Sequence, residues 1–229
     1  MLGLIGGFFL GWGLGANDSA NAFGTAVGSR MLSFRSAAVL GALFVFVGAI
    51  LQGRGGIETV SGLTTQSAFT ATVAVFAAAV TVAGMTVLKL PASTSQAAIG
   101  AIVGVGIMQR DVNGAGVLKV LICWVTTPAG AFVSFVVLYL GCRMLVRWLR
   151  PSLFAVDPVL RAGLVVCGCY GAYALGANNV ATVSAVFVAQ GLFGPFAATV
   201  FGGVAIAAGI LTFGKPVMKT VGGGIVRMD

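Results

Sequence analysis

The sequence predicts an all-α, polytopic membrane protein of about seven transmembrane helices or hairpin legs, arranged as inverted-topology repeats with broken helices. Three observations predict this. Of 229 residues, 59% are hydrophobic and only 8% are charged, with a mean hydropathy of +1.07; a soluble domain carries about 25% charged residues. Apolar runs of about 20 residues, the length needed to cross a bilayer, recur along the chain. Two near-copies of one polar phrase interrupt them: Gly15-Ala16-Asn17-Asp18-Ser19-Ala20-Asn21 and Gly176-Ala177-Asn178-Asn179-Val180-Ala181-Thr182.

The spans read, in order, as about 2–28 (broken at the first phrase), 34–51, 65–88, 91–108, 115–142, 162–190 (carrying the second phrase) and 194–212. The fifth and sixth are long enough to tilt or bend. Spans three and four are read either as full crossings or as a re-entrant hairpin. Lys89 beside their bend is cheaper near the cytoplasmic surface than at mid-membrane. Glycine pairs four apart, Gly11/Gly15, Gly24/Gly28 and Gly100/Gly104, suit close helix packing. The domain reading is a first repeat over 1–142, a basic loop over 143–161, and an incomplete second repeat over 162–229.

The loops set the orientation. Arg30 and Arg35 follow the first span. Arg143, Arg147, Arg150 and Arg161 follow the fifth, against Asp157, and Lys215, Lys219 and Arg227 follow the seventh, against Asp229. On the other side Arg54 is matched by Glu58 and Arg110 by Asp111. The excess of Lys and Arg predicts a cytoplasmic first set and an N-terminus outside. The two phrases then lie on spans that run in opposite directions, the arrangement of a duplicated carrier with its site between the repeats. The net charge of +8 is not a nucleic-acid footprint, because the cations sit in short loops between apolar spans. The first apolar run leads into the Asn-Asp phrase with no basic region before it, so it is not read as a cleavable signal.

Amides and a carboxylate at bilayer depth cost several kcal/mol each unless they are used, on the order of the burial penalty of unpaired polar groups. Polar glue between two helices needs one Asn, not a matched phrase. Gly15 permits a helix break, and Asn17 or Asp18 can cap the half-helix that begins there. Freed amides at that point would face an anion. Freed carbonyls with Asp18 and Asn21 would offer oxygen ligands to a small cation such as sodium. Asn21 shares a helical face with Asn17 and Asp18. Asp18 is the only acid in the interior of any span.

Pro91-Ala92-Ser93-Thr94-Ser95-Gln96 is a second element. The proline stops the preceding helix, and Ser93 with Gln96 has capping-box spacing. This predicts a helix N-terminus with three hydroxyls beside exposed amides. Thr64-Thr65-Gln66-Ser67 reads as an ordinary helix cap. Cys123, Cys142, Cys167 and Cys169 lie in apolar spans without zinc spacing, and the chain has no histidine, so no cofactor is expected and they read as apolar filler. A membrane enzyme would need a nucleophile with a base, or a metal cluster. One interior acid and no histidine exclude that class.

The run Gly15 to Thr25 resembles the signature of the PiT inorganic phosphate transporters, and Pro91 to Gln96 is similar to that family's Pro-x-Ser-Thr-Thr element. The resemblance covers the whole chain, in order. It implies uptake of inorganic phosphate coupled to sodium or protons, a site between inverted repeats, and a homodimer in the lipid bilayer. It places Asn17, Asn21, Ser93, Thr94, Ser95, Asn178 and Asn179 at phosphate positions. It places Asp18, Asn21, Gln96, Asn179 and Thr182 at cation-coupling positions. Two departures follow. Asn179 and Thr182 stand where the family often has Asp and Asn, so the second half-site has one fewer negative charge, and sulfate becomes the alternative anion. The Pro-x-Ser-Thr element begins 76 residues after its phrase (91 minus 15), so its counterpart would fall near 252, beyond Asp229. The expectation is therefore a shortened member, a fragment, or a subunit completed by another chain.

Overall fold

The computed structural model describes residues 2–65, 67–88, 93–149 and 153–224. These form seven helices and, among the described residues, no strand: α1 (Leu2–Gly28), α2 (Phe34–Ser61), α3 (Ala68–Val87), α4 (Thr94–Gln109), α5 (Gly114–Leu149), α6 (Leu153–Ala189) and α7 (Pro195–Gly224). The number and order of elements follow the sequence expectation. Their ends differ. α2 continues past 51 through Arg54 and Glu58. The expected loop over 143–161 is helical to Leu149 and again from Leu153, while 150–152 lie outside the described residues. A charge ends an apolar span without ending a helix, because long side chains reach the interface from helical backbone. Five helices, α2, α3, α5, α6 and α7, are long and apolar enough to cross a membrane.

The expected break at the polar phrases does not occur. α1 runs unbroken through 15–21 and α6 through 176–182, so neither phrase frees backbone amides or carbonyls. Its glycines serve close crossing instead. A Cβ on Gly15 would overlap the carbonyl oxygen of Ile206, and one on Gly176 that of Val45. Likewise Gly48 lies against the carbonyl of Tyr173, and Gly209 against that of Trp12. These contacts are exchanged by one shift of 161 residues (176 minus 15, 209 minus 48). Thus α1 packs along α7 as α6 packs along α2, and these are the two most extensive helix pairings.

The related helices run antiparallel. Gly7 near the start of α1 meets Phe187 near the end of α6, and Phe23 near the end of α1 meets Gly168 in α6. At the two ends of the α2–α7 pair, Arg54 lies 5.7 Å over the Phe196 ring and Lys215 lies 5.9 Å over the Phe34 ring. Arg54 and Lys215 are again 161 apart. The core follows this plan. One cluster joins Leu14, Phe23, Val45, Ile206 and Ile210, and a second joins Leu10, Val75, Val82, Ile102 and Phe187.

α3 ends at Val87 and α4 begins at Thr94. α3 runs beside α1 in the same direction, with Gly3 against Thr72, Gly6 against Val75 and Phe76, and Gly13 against Val82. α4 then returns. The outer ends of this hairpin are latched: the Asn113 amide donates to the Leu63 carbonyl at 3.0 Å, and the hydroxyl and amide of Thr65 both donate to the Asp111 carboxylate. Those donors hold the Asp111 carboxyl below the usual carboxylate range. The inner end of the hairpin meets α1 at Asn17 and Asp18. Asp18 is ten residues short of Gly28 at the end of α1, about 15 Å along a helix. Thr86 and Thr94 thus lie beside the interior of α1 and not at its end. Lys89 and Pro91 lie outside the described residues. Ser67 caps α3 by accepting from the Thr70 amide, the ordinary cap expected there. Gly100 and Gly104 face no neighbour, so they pack no helix among the described residues.

Candidate functional site

Residues from both phrases and from the start of α4 converge on one cavity of about 410 Å³. α1 contributes Asn17, Asp18 and Asn21, α6 contributes Leu175 and Asn179, and the N-terminus of α4 contributes Ser93, Thr94 and Ser95. Asn17, Asp18 and Asn21 share one face of α1 through their i, i+3 and i+4 spacing. Leu175 and Asn179 share a face of α6 for the same reason. Ser93 caps α4 by accepting the Gln96 amide at 3.3 Å. The amides of Thr94 and Ser95 have no acceptor inside their helix and carry the positive end of its dipole.

Adjacent hydroxyls on α4 bind equivalent positions of the two repeats. Thr94 Oγ1 donates to Asp18 Oδ2 at 2.9 Å, and Ser95 Oγ donates to Asn179 Oδ1 at 2.6 Å. Asp18 and Asn179 are again 161 residues apart. Asp18 is 7% exposed and Thr94 2%, so this pairing is shielded from water and correspondingly strong. Among the described residues, neither Lys nor Arg lines the cavity. Its polar surface is amide, hydroxyl and one carboxylate, a donor set that suits an oxyanion at a helix end and a hard cation beside the acid.

Seven of the residues singled out from sequence meet here: Asn17, Asp18, Asn21, Ser93, Thr94, Ser95 and Asn179. Three do not. Asn178 is exposed on α6, turned about 100° around the helix from Asn179 by the 3.6-residue repeat. Gln96 is exposed beyond the cap. Thr182 is buried at 5% exposure away from the cavity. Sequence reasoning also missed Thr86, near the end of α3. Its Oγ1 accepts from Asn17 Nδ2 at 3.3 Å and donates to the Val82 carbonyl at 2.8 Å. No motif marks Thr86; only the register of α3 against α1 does. Leu175 was legible, since it lies one helical turn before Asn179.

The chain matches the model of the phosphate transporter family over residues 14–229. It belongs to that family. This is a family of membrane transporters and not of enzymes, and the chain is an integral, multi-pass membrane protein. Among its relatives, the sulfate permease CysP of Bacillus subtilis is 30% identical over 96% of this chain and 63% of its own length. A "putative phosphate permease" of Pyrococcus furiosus is 27% identical over 100% of this chain and 77% of its own. A solved structure described as the sodium-dependent phosphate transporter superposes with a TM-score of 0.77, covering 96% of this chain and 77% of that one at 23% identity. The chain therefore shares that fold. It spans less than two thirds of the length of the sulfate permease that it matches.

Proposed function

We propose that the cavity is the transport site of a secondary carrier that moves inorganic phosphate together with sodium or protons. The observation that carries this reading is the meeting of Asp18, Asn179 and the start of α4 around one cavity. In this mechanism a cation at Asp18 screens the carboxylate. The backbone amides of Thr94 and Ser95, with the side chains of Ser93, Asn17, Asn21 and Asn179, then hold the anion. Without the cation, Asp18 repels a dianion, and that repulsion couples the two fluxes. One repeat, 1–142, rocks against the other, 162–229, to expose the site inside. The N-terminus lies outside, 143–161 lies at the cytoplasmic face, and the protein works as a homodimer.

Uptake of labelled phosphate into proteoliposomes, with sodium and proton gradients imposed separately, tests the reading. Gradient-driven uptake by the wild type is expected, and Asp18→Asn is expected to remove its cation dependence. Full cation-dependent uptake by Asp18→Asn would sink the coupling role. A second reading is sulfate transport. It is supported by the likeness to a sulfate permease and by Asn179, which leaves the cavity a single carboxylate among the described residues. Uptake driven by either gradient and abolished by excess sulfate favours it.

A further inference from the structure

We infer that Thr86 is a positioning residue for anion choice, one that fixes the Asn17 carboxamide with its oxygen turned to the cavity. The inference rests on the transport-site reading above and extends it to discrimination between protonated and unprotonated oxyanions.

A threonine hydroxyl has one hydrogen. At Thr86 that hydrogen is committed to the Val82 carbonyl at 2.8 Å, so the face it presents to Asn17 is a lone pair. Asn17 must therefore point a donor at it, and Nδ2 lies 3.3 Å away. Both residues are buried, at 7% and 8% exposure. Turning the carboxamide over would set its oxygen against the Thr86 oxygen, which is disfavoured. Asn17 lines the cavity, and Oδ1 is the atom left to it.

The neighbouring groups sharpen the consequence. Thr94 spends its hydrogen on Asp18 Oδ2, and Ser95 spends its hydrogen on Asn179 Oδ1. With Asn17 turned by Thr86, the side chains of Asn17 and Asp18 face the cavity as acceptors. An oxyanion that keeps a proton near neutral pH, as hydrogen phosphate does, can donate to Asn17 Oδ1. Sulfate has no proton to donate and sets its oxygens against that acceptor. A site that forms a hydrogen bond to one ligand and an unpaired contact with its analogue discriminates strongly.

The test compares Thr86→Val with Thr86→Ser in proteoliposomes, reading phosphate uptake and its inhibition by sulfate. Valine keeps the shape and removes the lone pair, so the carboxamide can turn. The phosphate-to-sulfate preference is expected to fall about tenfold, the worth of one hydrogen bond of roughly 1.4 kcal/mol. KM for phosphate should rise with little change in maximal rate, and serine should restore the wild-type ratio. An unchanged ratio in a valine variant that still transports overturns the inference. If valine does not fold, Thr86→Ala makes the same deletion without the branched bulk. If the wild type carries neither anion, the transport reading fails on its own. Thr86 is then judged by thermal stabilisation of the purified chain with inorganic phosphate and with sulfate. Loss of a wild-type phosphate preference in the valine or alanine variant alone supports the role. Equal responses of all variants, or no response to either anion, overturn it.

Discussion

The two polar phrases occupy the same place in the scaffold and do different chemistry. Gly15 crosses Ile206 as Gly176 crosses Val45, so each phrase is held by a matching helix crossing. Around the first phrase, α3 and α4 close over Asn17 and Asp18 through Thr86 and Thr94. Around the second, Asn179 alone reaches the cavity, through Ser95, while its neighbour Asn178 is exposed. Duplication thus preserves the backbone crossings, where any added atom collides. It lets the side chains diverge, because each is judged by what covers it. The α3–α4 hairpin makes the difference, since among the described residues two of its hydroxyls bond the first phrase, through Thr86 and Thr94, and one bonds the second, through Ser95.

Several experiments break or sharpen that comparison. The largest effect is expected from the crossings. Gly15→Ala and Gly176→Ala each drive a methyl into a carbonyl oxygen that cannot move without its helix. Each should cost about 3 kcal/mol or more, the upper range for overpacking, and should lower the thermal midpoint of detergent-solubilised protein similarly. A large inequality between the two would mean that equivalent contacts do not carry equivalent energy. Next come the phrases themselves. Asp18→Asn should reduce cation-dependent phosphate uptake by about a hundredfold or more, in keeping with loss of a charged contact worth roughly 3 kcal/mol. Asn178→Ala should stay within about twofold of wild type, as for an exposed polar residue.

Asn179→Asp restores an acid at the second equivalent position, opposite Asp18. A second carboxylate in one cavity disfavours the anion until it is screened. Phosphate uptake should therefore show a steeper dependence on the coupling cation, visible as a higher Hill coefficient at low phosphate. An unchanged cation dependence would place Asn179 outside the coupling. The cation–π pairs are worth less. Arg54→Gln and Lys215→Gln should each cost about 0.5–1 kcal/mol, the range for exposed sites, and their near-equality in thermal melts would extend the comparison to the helix ends.

The latch at the outer end of the hairpin gives the smallest effect and a definite sign with pH. Thr65 holds the Asp111 carboxyl below its usual range. Its contribution is therefore complete above the ordinary carboxylate pKa of about 4 and fades only as pH falls through the lower, folded value. Asp111→Ala should speed amide exchange at Thr65 and Asn113 at neutral pH. In the wild type the same amides should stay protected down to pH values below that ordinary range.

Much of this was legible in the chain. Apolar length, charge bias and the repeated phrase sufficed for seven helices in order, and helical spacing alone grouped Asn17, Asp18 and Asn21. The capping pattern of Ser93 and Gln96 located the helix end that reaches the cavity. Two readings failed and one residue was missed for one physical reason, that a residue's role depends on what stands opposite it. Gly15 reads as a helix breaker until Ile206 is seen pressed against it. Asn178 and Asn179 read alike until the turn of α6 sends one to the cavity and the other outward. Thr86 reads as one hydroxyl among many until α3 is set beside α1. Local propensity and burial of apolar length act on the chain itself, so the sequence alone determined the helices, their order and their polar interruptions. Close crossings, the hairpin's depth and the direction of each buried amide depend on atoms distant in sequence, and only the tertiary structure decided them.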